Sequence, residues 1–292
     1  MVWLTWRQHR AQVLVTAGFL VLVGVLLLVH GLGADGLTGD ALTARFQSIY
    51  TYVSWLPAVP LVAGLFWGAP LLARELERGT HRLAWTQSVT RRRWLATKLG
   101  LLGLAVTVAG LLLGVMVSAW LTAFDGVRSA DRFSDPVMFG ATGVAGGVWW
   151  LFAFAIGTAA GGLTRRTLPA FAVTIAVFLT AMFAMFAVFQ VRDLYAEPER
   201  MLAEGPPADA FVTDSAFVSP AGVEVSGDVP ECATAGRDTY LDCVDEAGYR
   251  SVLYYQPADR YWRFQWTEAG LLAVVSVLLA GPVAYRVARR PV

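Results

Sequence analysis

The sequence predicts an all-α membrane protein with six transmembrane helices, an N-terminal interfacial helix and a small extracytoplasmic domain between spans five and six. Three observations predict it. The 292 residues are 56% hydrophobic and only 15% charged, where soluble domains carry about a quarter charged residues. Six uncharged apolar stretches approach the roughly 20 residues needed to cross the hydrocarbon of a bilayer. The basic residues gather in alternate connections between those stretches.

The elements follow in order. Residues 1–10, "MVWLTWRQHR", space Trp3 and Trp6 three apart and Arg7 and Arg10 three apart. A short interfacial helix accounts for that spacing, and a straight extension of the first span accounts for it equally. The spans are expected at 11–29, 52–72, 99–121, 137–163, 168–189 and 269–285. The first is too long for a signal-peptide core and no A-x-A site follows it, so it is expected to stay in the chain. Pro57, Pro60 and Pro70 bend or break the second. The fourth is the longest and is expected to tilt or to carry an irregular end. It holds two small-xxx-small pairs, Gly143/Gly147 and Gly157/Gly161, which allow close helix approach within the bundle or between copies.

Charge sets the expected orientation. Six spans place both termini on one side. That face takes 14 of the 23 Lys/Arg with only Glu75 and Glu77 as acids, and the other face takes 20 of the 22 Asp/Glu. The positive-inside rule makes the basic face cytoplasmic, which implies a multi-pass membrane protein with both termini in the cytoplasm. Residues 191–265 are then extracytoplasmic. Their first half is polar and proline-rich, and their second half, "SVLYYQPADRYWRFQW", is aromatic and strand-like. Cys232 and Cys243, the only cysteines, close a short loop there, and a disulfide between them is expected in that compartment. Tyr254, Tyr255, Tyr261, Trp262, Phe264 and Trp266 read either as an interfacial belt plus a small core or as an aromatic lip over a pathway.

Recognisable catalytic chemistry is missing. The sequence has no G-x-x-x-x-G-K-[ST], H-E-x-x-H, CxxC or G-x-S-x-G motif, and its three histidines lie apart from cysteine or carboxylate clusters. No Asp, Glu, Lys or Arg falls inside the six stretches, which argues against a proton-coupled carrier or a charged-ring channel. No cofactor or nucleic-acid partner is expected; membrane lipid is.

The stretch "RELERGTHRLAWTQSVTRRRWLATK", residues 74–98, holds seven Arg/Lys. Residues 74–78 read as the end of the second helix, with Gly79 as its stop. Residues 81–87 read as one or two helical turns, and Thr90 as the N-cap of the third span. Arg91, Arg92 and Arg93 then occupy the first turn, where the helix dipole disfavours cations. Anionic headgroups or a docked protein partner would offset that.

The run Arg74-Glu75-Leu76-Glu77-Arg78-Gly79-Thr80, then Gln87-Ser88-Val89-Thr90-Arg91, then Lys98, resembles the cytoplasmic loop of ABC transporter permeases of the type-2 exporter class. The start "WLTWRQHR" and the six-span layout match as well. "YYQPADRYWRFQWTEAGL" resembles the segment before the last span in an actinobacterial branch. Ser88 stands where many relatives carry proline. The resemblance implies a non-enzymatic transport subunit of the bacterial plasma membrane, working as a homodimer or with a related permease. A separately encoded ATPase would bind ATP and magnesium. Glu75, Glu77, Gly79, Thr80, Arg91, Arg92, Arg93 and Lys98 would form its docking loop, with Arg165 and Arg166 as a second cytoplasmic contact. Apolar spans suit a hydrophobic or amphipathic cargo. The alternative is a non-transporting sensor or scaffold whose outer domain binds a ligand.

Overall fold

The computed structural model describes residues 2–78, 90–127, 130–189, 195–202, 210–233, 236 and 239–289. The chain divides into two compact units, one of Met1–Met185 with Gln265–Val292 and one of Phe186–Phe264. Among the described residues, six helical segments are long and apolar enough to cross a membrane.

In the first unit, α1 (Val2–Leu32) runs without a break through the stretch expected to form a separate interfacial helix. Nothing between Arg10 and Ala11 interrupts backbone hydrogen bonding, since neither proline nor glycine occurs before Gly18. Trp3 and Trp6 remain exposed on its first turns. The second candidate span begins earlier than expected and is segmented. It consists of α2 (Gly39–Val53), a 3₁₀ turn at Leu56–Ala58, α3 (Val59–Ala63), a π turn at Gly64–Gly68 and α4 (Ala69–Arg78). Proline stands near the start of the 3₁₀ turn and of α3, where its missing N–H is tolerated. Pro70 has a different consequence. In a regular helix the Phe66 carbonyl would accept from residue 70, and proline has no hydrogen to give. Gln12 Nε2 from α1 donates to that carbonyl instead, at 2.6 Å.

The third span is α5 (Arg91–Leu121), capped as expected: Thr90 Oγ1 accepts from the Arg93 N–H at 3.4 Å. The fourth span carries the irregular end its length suggested. It begins as α6 (Pro136–Ala141), where Asp135 Oδ1 accepts from the N–H groups of Val137 and Met138. The chain then breaks at Thr142–Gly143, with Gly143 at φ +61°, and resumes as α7 (Gly143–Thr164). The next span is α8 (Thr167–Phe189).

Helix α7 is the most buried of the spans, and its glycines explain why. A Cβ on Gly157 would lie 2.1 Å from the Gly64 carbonyl oxygen, and one on Gly161 2.3 Å from that of Ala69. One face of α7 therefore packs backbone to backbone on the π turn and α4. A Cβ on Gly110 would meet the Gly147 Cα at 3.0 Å, and one on Gly114 the Gly143 carbonyl at the same distance, placing α5 against another part of α7. Both small-xxx-small pairs are thus used inside the chain.

The second unit is not all-α. Between residues 199 and 256 it holds an antiparallel sheet of β1 (Glu199–Leu202), β2 (Phe211–Val218), β3 (Glu224–Ser226) and β4 (Arg250–Gln256), in the order β1-β4-β2-β3. The short helix α9 (Tyr240–Glu246) precedes β4. The β-branched and aromatic run "SVLYYQ" favours an extended pairing strand over helix. Cys232 and Cys243 are disulfide-bonded, Cα atoms 5.9 Å apart. The bond ties the Pro230–Cys232 turn to α9 over a small core of Val229, Val244, Phe217 and Tyr240. The final helix is α10 (Tyr261–Arg289).

The aromatics near residue 260 differ in exposure. Tyr261 and Phe264 are buried, and Trp262 and Trp266 are exposed. Tyr254 donates to Glu224 at 2.5 Å, and Tyr255 to Glu199 at 3.3 Å.

Candidate functional site

The candidate site is built where α4 ends, α5 begins and the α7–α8 link passes. Lys98 lies two turns into α5 and is only 4% exposed. Its ammonium pairs with Glu75 on α4 and stands 4.7 Å from the centre of the Trp94 ring. A carboxylate and an aromatic face together replace the water that a buried ammonium loses. Under this pair Leu72, Trp94, Leu95, Ala159, Val283 and Val287 form one apolar cluster. Helices α4, α5, α7 and α10 are thereby locked at this end.

Glu77 makes the second tie. Its Oε2 accepts from Thr167 Oγ1 at 2.9 Å and from the Thr167 N–H at 3.4 Å. Thr167 is the first residue of α8, so Glu77 caps that helix from another element, placing negative charge at the positive dipole end. Arg165 closes α7 in the left-handed conformation, φ 56°, with its N–H bonded to the Gly161 carbonyl at 3.0 Å. Among the described residues it is the only non-glycine with positive φ. The residue there turns the chain sharply from α7 into α8.

The expected site residues therefore separate by role. Glu75, Glu77 and Lys98 come together as ties between elements. Arg92, Arg93, Arg165 and Arg166 are exposed, and Arg91 opens α5. Gly79, Thr80 and the turns expected at 81–87 lie outside the described residues. Glu75 also lines a cavity of about 320 Å³, with Gln8, His9, Gln12, Leu71 and Arg74 among its walls. His9 Nδ1 lies 2.5 Å from Gln12 Oε1, so the Gln12 side chain that supplies Phe66 is itself held. Among the described residues no group of three His, Cys, Asp or Glu is placed to hold a metal ion.

A second polar group escaped the sequence reading. Glu268 and Gln265 are buried on α10, just ahead of the apolar stretch that began at Ala269. Glu268 Oε1 accepts from Trp149 Nε1 at 2.9 Å. Gln265 spans the break in the fourth span: Oε1 accepts from the Ala145 N–H at 2.8 Å, and Nε2 donates to the Phe139 carbonyl at 3.0 Å. It satisfies one orphan donor of α7 and one carbonyl of α6. The available signal was the spacing of Tyr261, Phe264, Gln265, Glu268 and Leu272, which lie on one helical face and are all buried.

A model of the ABC-2 membrane transporter related family matches residues 17–190. No curated protein and no solved structure matches the chain significantly. The family match takes in the first candidate span from residue 17 and the next four, with α4 and its Glu75 and Glu77, α5 with Lys98, and the α7–α8 link. It covers more than half of the sequence, and the chain belongs to the ABC-2 membrane transporter related family.

Proposed function

We propose that this protein is the membrane-spanning subunit of an ATP-driven exporter, moving a hydrophobic or amphipathic cargo out of the cytoplasm. It pairs with a second permease copy and docks a separately encoded ATPase, which binds ATP and magnesium. The basic face is cytoplasmic, and the disulfide-bonded unit lies outside. The finer placement in an actinobacterial branch rests on the segment before the last span.

One observation carries the reading: the element ends flanking the 74–98 loop are fastened to the α7–α8 link. Lys98–Glu75 joins α5 to α4, and Glu77–Thr167 joins α4 to α8. A push on the loop by a partner would reach several spans at once. Arg91, Arg92, Arg93, Arg165 and Arg166 form the contact surface, together with Gly79 and Thr80. Glu75, Glu77 and Lys98 transmit the movement.

The test separates docking from transmission. Co-purification of the chain with its candidate ATPase should fail when Arg91, Arg92 and Arg93 are all changed to Glu. Lys98→Met should keep the complex and its ATP hydrolysis while lowering transport per ATP. A complex and ATPase rate untouched by the triple reversal would reduce those arginines to topology signals and remove the docking assignment.

A further inference from the structure

A groove of about 700 Å³ runs between α1 and α2, walled by Leu22, Leu26, Val29, Ile49 and Val53, with His30 and Arg45 at one end. Its volume falls within the range of small-molecule sites. Its walls are almost wholly apolar, and its nitrogen-bearing side chains, His30 and Arg45, stand together, with the Tyr52 phenol farther along α2. Such a division suits a molecule with a hydrocarbon chain and a single head group.

The polar end carries one positive charge. Trp120 Nε1 donates to His30 Nδ1 at 3.1 Å, so Nδ1 presents its lone pair. Nε2 then carries the hydrogen and lies 3.0 Å from the Arg45 carbonyl and 3.1 Å from Ser48 Oγ. His30 is therefore neutral in this arrangement. Arg45 directs Nε and Nη2 at a single acceptor, the His30 carbonyl, at 3.4 and 3.2 Å. No carboxylate lies within 4 Å of its guanidinium among the described residues. Gly33 leaves room for it, since a Cβ there would lie 2.4 Å from Nη2. Arg45 stands near the start of the second candidate span and His30 near the end of the first, which is headgroup depth for a spanning bundle.

We propose that this groove is a binding site for one anionic phospholipid of the surrounding leaflet. The acyl chain lies between α1 and α2, and the phosphate faces Arg45. Arg45 supplies the charge that a zwitterionic lipid would answer less well, and the aliphatic walls supply the contact area. The site uses none of the residues assigned to ATPase docking.

Native mass spectrometry of the full chain after detergent exchange, with phosphatidylglycerol and phosphatidylcholine offered equally, reads the site directly. Wild type should retain one phosphatidylglycerol at a preference of roughly fivefold, as expected for one basic residue against an anionic headgroup. Arg45→Gln should remove the preference and Arg45→Lys should keep most of it. Leu26→Trp, at an exposed wall position away from the charge, should lower retention of both lipids. Equal retention of the two lipids by wild type would overturn the assignment. So would a preference that survives Arg45→Gln, or retention that survives Leu26→Trp.

Discussion

Pro70 cannot satisfy the Phe66 carbonyl, and Gln12 donates to it across the gap between two spans at 2.6 Å. Gln12→Leu keeps the side chain's size and removes the donor. The variant should lose about 1 kcal/mol, typical of interhelical polar contacts in membranes, read as a lower thermal midpoint in detergent. Arg165 illustrates a backbone constraint. Its φ of 56° carries a penalty for any residue with a Cβ, and more so for a β-branched one. Arg165→Gly should leave stability unchanged or raised, while Arg165→Val should lower it by ~1–2 kcal/mol; a thermal-shift series on the two variants checks the order. In the second unit, the hydrogen bond to Glu224 and then burial raise the Tyr254 phenol above its ordinary value. A raised folded value means that this contribution to stability is present below the unfolded value and lost as pH rises through the folded one. Glu224→Gln should bring Tyr254 ionisation to lower pH, visible in the tyrosinate absorbance difference between each protein and its Tyr254→Phe counterpart.

At the scale of elements, α7 depends on having no side chain at two points. Gly157→Ala would drive a Cβ to 2.1 Å from the Gly64 carbonyl oxygen, and backbone has nowhere to retreat without moving the π turn. Overpacking of this kind costs about 1–3 kcal/mol or more, whereas Gly18→Ala, with open space around its Cβ, should be neutral or stabilising; expression and melting of the pair test the contrast. Sequence alone identified Gly157/Gly161 and Gly143/Gly147 as close-approach pairs and left open whether they faced the same chain or another copy. Their intrachain use depends on Gly64, Ala69, Gly110 and Gly114, residues distant in sequence that hydropathy cannot pair. The segmented second span was half legible. Its prolines announced breaks, but the π turn follows from packing of Gly64 and Gly68 against α7.

For the whole molecule, the number of spans, the caps at Thr90 and the acid–base asymmetry of the connections all follow from composition and local pattern. The same holds for the Cys232–Cys243 bond, which pairs the chain's only two cysteines. Local rules sufficed because a bilayer demands about 20 apolar residues for each crossing helix. What only the tertiary structure decided is which polar groups act within the fold and which remain exposed. Glu75 and Lys98 read alike with Arg92 and Arg93 as charges in one loop. Folding turns the first two into an ion pair, with Lys98 buried and Glu75 half-buried, and leaves the arginines exposed. Glu268, outside every charge-free stretch, becomes buried by the helical face it shares with Phe264 and Gln265. Partners of this kind lie from 23 to 126 residues apart, and only packing brings them within hydrogen-bond reach. A sequence pattern reports each residue's preference for water or hydrocarbon, while the pairing that satisfies a buried polar group is set by its neighbours in space.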